Sequence, residues 1–513
     1  MIKEDRKKII LFSANPKYVG VPLGLLSITK LIDLNKYWVK IITKNEYPDY
    51  EKEIIKECDG AICLGISVIT GYPVKIAENI SQKVKRKYPN LPIIWGGWFP
   101  TTLPQETLKA SYVDYVCMGQ GETAFSQFID VVSSGNLSNL KNIPRLGYKK
   151  GKIIIINERL GTEDIQNLPD FNLNLINWEK YLEVIDFGKK AIRITTSYGC
   201  PYRCAFCCEP MNSKRIWKAY TTPRVIKFLK KLKKKINFDS LIIVDSNFFV
   251  DEKRVTGICK GLIRNKFKVK VGQVNGRTNN LIRYKPQTWK LMKKAGFYNI
   301  LIGAESGSEE TLRFINKDAT VKETLGLAKI CNRYKILILA SVIVGLPTKK
   351  YFINNKKAFQ EDLNGVIDLY DKIGTTGSNH HLLTFPYAPL PFSPLYGKAI
   401  ELGFKPPVGI DKWSGYELTG VHIPWIPKSG YRKIDTLNYM SFVVGIDFKH
   451  FLGSLPPIAR LIVNPGIQIF KNIGKWRFKT KFLGLPFDMK VFYFSLRAFR
   501  AINNKFRMLN IGR

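Results

Sequence analysis

A chain of 513 residues gives ample length for two or three domains with separate cores. No stretch of about 18 uncharged apolar residues is present, which excludes a segment crossing a bilayer. Nine cysteines is an odd number, and residues 1–8 are charged and lead straight into a strand, so a disulfide framework and a secretory leader are not expected and a reducing cytoplasm is the natural compartment. The formal charge of +40 admits nucleic acid, anionic lipid or an acidic substrate as partner. Much of the excess is lysine in the pattern of Lys227, Lys230, Lys231, Lys233, Lys234 and Lys235, interrupted by Phe228, Leu229, Leu232 and Ile236. That pattern predicts the solvated face of an amphipathic helix.

Strand and helix signals alternate from the start. Residues 9–12, 39–42 and 60–67 read as strands, 23–33 and 72–88 as helices, followed by strands at 92–97 and 115–119. Such alternation predicts a parallel, doubly wound sheet whose ligands sit at the carboxyl ends of the strands. That rule gathers residues 67–71, 96–101 and 119–122 around one crevice. Residues 153–156 read as an extra strand within a connector. From residue 191 the alternation resumes, with strand candidates at 192–194, 241–244, 269–272, 300–303, 339–344 and 382–384.

Directly after the strand at 192–194 comes a C-x3-C-x2-C run of Cys200, Cys204 and Cys207. Three thiolates on one loop can hold three corners of a cubane iron–sulfur cluster and leave the fourth iron open for substrate or cofactor. A structural zinc site is the alternative, but it needs a fourth Cys or His, usually in a second pair, and His380, His381, His422 and His450 lie far downstream. Cys208 adjoins Cys207 and reads as packing.

The run and its Gly-Cys-Pro-Tyr-Arg-Cys-x-Phe-Cys context resemble the radical S-adenosylmethionine (SAM) superfamily. The resemblance implies that Cys200, Cys204 and Cys207 hold a 4Fe-4S cluster whose open iron chelates SAM, and that the six strand–helix units form that family's partial barrel. It also implies roles for the strand-end loops. Glu305, Ser306 and Gly307, in a Gly-x-Glu-Ser-Gly-Ser stretch, are implied to meet SAM, with the start of a helix as the other reading. Asp245 is implied to bind the SAM amino group, or else to cap a helix. Gly345 and Pro347 form a Gly-Leu-Pro turn bordering adenine, and Arg277 is implied to contact the SAM carboxylate. His380 and His381 serve as acid–base groups or as core residues. Residues 385–391 lack the family's Gly-Thr, which leaves the substrate open.

Residues 7–150 resemble the cobalamin-binding domain fused in front of many such enzymes, with Gly-Gly-x-x-Pro-Thr at 96–101 and Gly-x-Gly-Glu at 119–122. Ser67, Thr70, Gly96, Gly97, Gly119 and Glu122 are the implied cobalamin contacts, with glycine allowing close backbone approach. The segment holds no histidine, so none is available from it to ligate cobalt. A Rossmann-like domain that binds nothing is the other reading.

The expected fold class is α/β: an N-terminal Rossmann-like cobalamin-binding domain (residues 1–150), a linker (151–188), a partial (β/α)6 radical SAM barrel (189–400) and a mainly helical C-terminal region (401–513). The resemblance implies a cobalamin-dependent methyltransferase acting on an unactivated carbon of a small molecule, drawing electrons from a flavodoxin or ferredoxin. An oxidative cyclase or rearrangement enzyme on a tetrapyrrole or lipid-like substrate stays open, as does a non-catalytic iron–sulfur or cobalamin sensor. Nucleic acid is not expected, because Cys58, Cys63 and Cys117 read as core rather than as ligands of a second cluster. Trp413, Tyr416, Trp425 and Trp476 suggest aromatic packing over the active site. Residues 471–513 interleave aromatics with eleven Lys and Arg against Asp488 alone, which reads either as a face for anionic membrane or as an amphipathic helix packed on the barrel.

Overall fold

The computed structural model describes residues 6–18, 20–374, 380–417, 420–445 and 457–502, with side chains for all of these except 457–460, 462 and 496–502. The N-terminal part folds around a seven-stranded sheet ordered β2-β1-β3-β4-β5-β6-β7. Its strands are β1 (Lys7–Ser13), β2 (Tyr37–Ile42), β3 (Ala61–Ser67), β4 (Ile93–Gly96), β5 (Tyr115–Cys117), β6 (Leu146–Lys150) and β7 (Ile153–Ile156). The first five are parallel, and Ile9, Ile10 and Leu11 are fully buried, as strands covered on both faces require. Between β1 and β3 the winding reverses, and this opens a crevice at the carboxyl ends. β6 and β7 extend the sheet antiparallel, β7 being the extra strand read at 153–156. The first helix, Leu23–Ile28, stops short of Asp33 because the Thr29 hydroxyl turns back to the Leu26 carbonyl at 2.8 Å and competes with the helical ladder.

The second part contains every strand read from residue 191 onward, and one more, as β9 (Gly188–Ile194), β12 (Ser240–Ile243), β13 (Lys270–Gly272), β14 (Val274–Gly276), β15 (Asn299–Glu305), β16 (Leu337–Val344) and β17 (His381–Pro386). Between β9 and β12 lie the short pair β10 (Ser197–Tyr198) and β11 (Lys218–Ala219). The third expected strand, 269–272, is β13, and a further strand not read from the sequence, β14, follows it directly. Gln273, at φ 51°, separates the two and donates its N–H to Asn299 Oδ1 at 2.5 Å, so β13 pairs with β12 while β14 pairs with β15. The result is an open, curved sheet in two halves, β13-β12-β9-β8 and β14-β15-β16-β17. Strand β8 (Glu183–Ile185), antiparallel to β9, had no signal in the sequence.

The lysine-rich segment is a helix, Thr222–Lys235, with Val225, Ile226, Leu229 and Leu232 buried. Lys231 and Lys235 turn outward to Asp170 and Asn174 at 3.1 and 2.7 Å, as a solvated face would.

The C-terminal region is mainly helical and covers both earlier parts. Asn438, on the helix Lys428–Gly445, accepts the Thr384 N–H at 2.7 Å and donates to its carbonyl at 2.8 Å, closing the open edge of β17. Trp413 packs edge-on to Phe99, on the short helix Trp98–Thr102 that follows β4, and Trp425 donates its indole N–H to the Gly345 carbonyl at 2.8 Å. Among the described residues no helix is long and apolar enough to cross a membrane.

Candidate active site

The cysteine loop leaves β10 through Gly199, whose φ of 75° and contact with Ile216 leave no room for a side chain: a Cβ there would sit 2.0 Å from the Ile216 carbonyl oxygen. Asp245, 1% exposed at the end of β12, anchors the loop's entry. Its oxygens accept the Thr196 N–H and the Thr196 and Ser197 hydroxyls, each at 2.6 Å. The carboxylate is thus committed to the loop, and the helix caps belong to its neighbours: Asn247 accepts from the Phe249 N–H, and Asp251 caps the helix Glu252–Arg264. In this arrangement Asp245 positions the start of the cysteine loop rather than capping a helix.

Cys204 is buried, while Cys200 and Cys207 are half-buried. Burial pushes the thiols of Cys200 and Cys207 up, and in each case a backbone N–H, from Tyr202 and Glu209 respectively, pulls the other way. Cys204 Sγ accepts a hydrogen bond from Arg277. Among the described residues no three His, Cys, Asp or Glu side chains close on one point. What the loop offers is three sulfurs, each facing an N–H donor, and such hydrogen bonds are what tune iron–sulfur clusters. This donor set fits the cluster. Cys208 donates its S–H to the Pro391 carbonyl at 3.3 Å and is packing.

Arg277 is 5% exposed and fully engaged within the protein. Beyond Cys204 it donates to the Lys317 carbonyl and to Asn279 Oδ1, and its guanidinium lies 3.9 Å from the Tyr202 ring centroid. It therefore turns toward the cysteine loop.

Glu305 ends β15 with a left-handed φ of 62°, rare for a non-glycine residue and a mark of a functional or tightly constrained position. It is 5% exposed, and Lys317 Nζ holds its Oε1 at 2.7 Å. Gly303 makes room for this pair, since a Cβ there would lie 1.9 Å from Glu305 Oε1. Lys317, absent from the sequence reading, carries no motif of its own. Ser306 Oγ accepts the Ser308 N–H, and Ser308 caps the helix Glu309–Phe314. Gly307 packs closely on protein: a Cβ there would fall 2.1 Å from the Gly365 carbonyl oxygen. Gly345, at φ 81°, donates to Asp362 Oδ2 at 2.9 Å and lies beneath Ile423 and Ile426; Pro347 is buried beside it. His380 is core, accepting the Ile338 N–H and bonding the Ala328 carbonyl; His381 sits beside Gly445, and burial first of all drives its pKa down to about 4.

At the crevice of the first sheet, the β1, β3 and β4 loops expose Tyr18, Ile69, Tyr72 and Trp98 by 37 to 43%. Large apolar side chains left open at a topological switch point fit a flat macrocycle such as cobalamin. Ser67 and Thr70 are half-buried on the same loops, and Gly96 is open apart from Cys117. Gly97 locks two loops together, because its Cβ would lie 2.7 Å from the Val68 carbonyl that accepts the Phe99 N–H. Gly119, at φ 69°, lies close to Asn212, just past the cysteines: a Cβ there would sit 2.9 Å from Asn212 Oδ1. Glu122, expected among the cobalamin contacts, is 1% exposed and accepts from Ser27 Oγ at 2.6 Å, and Ser27 in turn bonds Tyr198 Oη at 3.2 Å. This buried chain ties the first sheet to the residue before Gly199. Trp413, Tyr416 and Trp425 are buried as expected, whereas Trp476 is 52% exposed.

Residues 194–352 match the family model of the radical SAM superfamily and residues 9–129 that of the B12 binding domain. An uncharacterized methyltransferase of Pyrococcus horikoshii is 28% identical over 64% of this chain and 70% of its own. The anaerobic magnesium-protoporphyrin IX monomethyl ester cyclase of Rubrivivax gelatinosus is 25% identical over 64% of this chain, which spans 59% of that protein. The solved structure of the cobalamin-dependent SAM radical enzyme OxsB with aqua-cobalamin bound superposes with a TM-score of 0.70 at 17% identity, covering 93% of this chain and 72% of that one, and shares its fold. With a B12-binding domain ahead of a barrel that carries the cysteine loop, the chain belongs to the cobalamin-binding radical SAM enzymes, and its cofactors are a 4Fe-4S cluster, SAM and cobalamin.

Proposed function

We propose that this enzyme is a cobalamin-dependent methyltransferase acting on an unactivated carbon of a small molecule. The observation that carries the reading is the apposition of the two parts: Gly119, in the loop after β5, lies against Asn212 beyond the cysteines, and Glu122 and Ser27 of the N-terminal part join Tyr198 beside the cysteine loop. Together the bound groups would supply reductive cleavage of SAM, hydrogen abstraction and a transferable methyl group. The protein's part is positional. Asp245 and Arg254 fix the entry of the cysteine loop, Arg277 donates to a cluster thiolate, and the Glu305–Lys317 pair holds a carboxylate at the barrel's carboxyl end. Within this reading Glu305, Ser306, Gly345 and Pro347 border SAM, and Ser67, Thr70 and Gly96 border cobalamin. A small acidic flavodoxin or ferredoxin suits a surface of net charge +40, as does peripheral contact with an anionic membrane.

A second reading, oxidative cyclisation, is favoured by the likeness to the cyclase. Anaerobic reconstitution with iron, sulfide and hydroxocobalamin, followed by SAM and a reductant, separates them. Both 5'-deoxyadenosine and S-adenosylhomocysteine, lost in Cys204→Ala, are expected for methyl transfer. Deoxyadenosine alone would favour cyclisation, and neither product from a cluster-loaded protein would point to a sensor.

A further inference from the structure

The helices Pro457–Thr480 and Phe487–Ile502 are apolar on two sides. One side packs on the body: Phe478 is 5% exposed and stacks on Tyr370, and Phe492, 7% exposed, meets Tyr439 and Phe470. The other side faces outward. Leu461, Ile469 and Trp476 are 76, 58 and 52% exposed, and with Pro465 and Asn472 between them they follow the three- and four-residue spacing of one helix face. Phe487, Val491 and Phe494, 76, 37 and 73% exposed, form a second row with the same spacing on the next helix. Water-facing rows of this length on two consecutive helices are far from the scattered apolar residues of an ordinary surface.

The turn joining the helices is built for a dry environment. Arg477, 4% exposed, donates to both oxygens of Asp488 at 3.0 and 2.6 Å and to the carbonyls of Phe482, Gly484 and Leu485 at 3.1, 2.8 and 2.9 Å. Backbone carbonyls that need no water are what a loop entering an apolar phase requires. At this turn Leu485 is 79% exposed. Lys475, Lys479 and Lys490 stand exposed around the row, and Asp488, the acid of this stretch, is consumed by Arg477.

We propose that this outward row seats the protein on an anionic bilayer, with the apolar side chains at the headgroup–acyl boundary and the lysines among the phosphates. The proposal names the face for the membrane contact of the preceding reading, and it does not depend on which reaction the barrel performs. Basic residues flanking an apolar row match anionic lipid, and a lipid surface, unlike a second copy of this basic chain, supplies the opposite charge.

Flotation of the full-length protein with vesicles tests it. Binding to phosphatidylcholine–phosphatidylglycerol vesicles, weaker on pure phosphatidylcholine and reduced by salt, is the expected result. The triple variant Trp476→Ser/Phe487→Ser/Phe494→Ser should bind at least about tenfold more weakly with an unchanged melting temperature, because these side chains are exposed. Lys475→Glu/Lys479→Glu/Lys490→Glu should remove the preference for phosphatidylglycerol. No vesicle binding, or equal binding by the apolar variant, would overturn the proposal. So would a lipid-free dimer that the apolar variant dissociates, since the row would then belong to a second copy. Each of these readouts is independent of the deoxyadenosine and S-adenosylhomocysteine assay.

Discussion

Arg277 donates to the sulfur of Cys204 from a buried position, so a permanent positive charge sits against one of the three cluster cysteines. Its other amino group holds the Lys317 carbonyl, and Lys317 holds Glu305, which links the cysteine loop to the end of β15. A cationic donor to a cluster thiolate favours the reduced state. Arg277→Gln should therefore lower the midpoint potential of the reconstituted cluster, on the order of tens of millivolts, with iron content retained. Redox titration followed by electron paramagnetic resonance reads this directly. An unchanged potential would reduce Arg277 to a packing residue.

Glu305 and Lys317 are a buried ion pair, 7 and 5% exposed at their side chains. Removing one partner strands the other charge, at a cost of about 3–5 kcal/mol. Lys317→Met and Glu305→Gln should each lower the melting temperature, and the double variant should cost less than the two singles added. Glu305→Gln should weaken SAM binding as well, measured by calorimetry on the cluster-loaded protein, and Lys317→Met should do so less. Additive losses would show that the pair is not coupled.

Much of this architecture was legible because it rests on local patterns. Apolar runs between helix signals located β1 to β5 and the barrel strands, and the spacing of Cys200, Cys204 and Cys207 located the cluster loop. The misses share a cause, which is that they depend on partners distant in sequence. Nothing around Asp245 reveals that Thr196 and Ser197 fold back onto it, and nothing around Lys317 reveals Glu305. Glycine was the most ambiguous letter. Gly97, Gly199 and Gly307 read as places for ligand to approach, or carried no assigned role, and in the fold each admits another stretch of backbone. The Gln273 break was equally hidden, since a left-handed glutamine between two strands has no local signature.

Gly307 gives a direct test of that distinction. Its Cβ would overlap the Gly365 carbonyl, and backbone on a helix cannot step aside as a side-chain tip can. Gly307→Ala should destabilise the protein by roughly 1–3 kcal/mol, seen in thermal denaturation, while the folded fraction keeps its affinity for SAM. Full stability with lost SAM binding would restore the ligand-approach role.

His381 sets an acid limit on the fold. Burial is the main reason its pKa falls from 6.5 to about 4, with His380 and Lys471 adding repulsion. Above pH 6.5 the ring is neutral in folded and unfolded chains alike, so it adds no pH dependence there. Between pH 6.5 and about 4 the unfolded chain takes up the proton and the folded one does not, so stability falls as the pH falls through this window. The loss reaches about 3 kcal/mol at most by pH 4. In His381→Gln the slope of unfolding free energy against pH should be shallower than in the parent below pH 6.5 and identical above it. Denaturant titrations at a series of pH values measure both slopes, and equal slopes throughout would mean that the ring protonates freely in the native state.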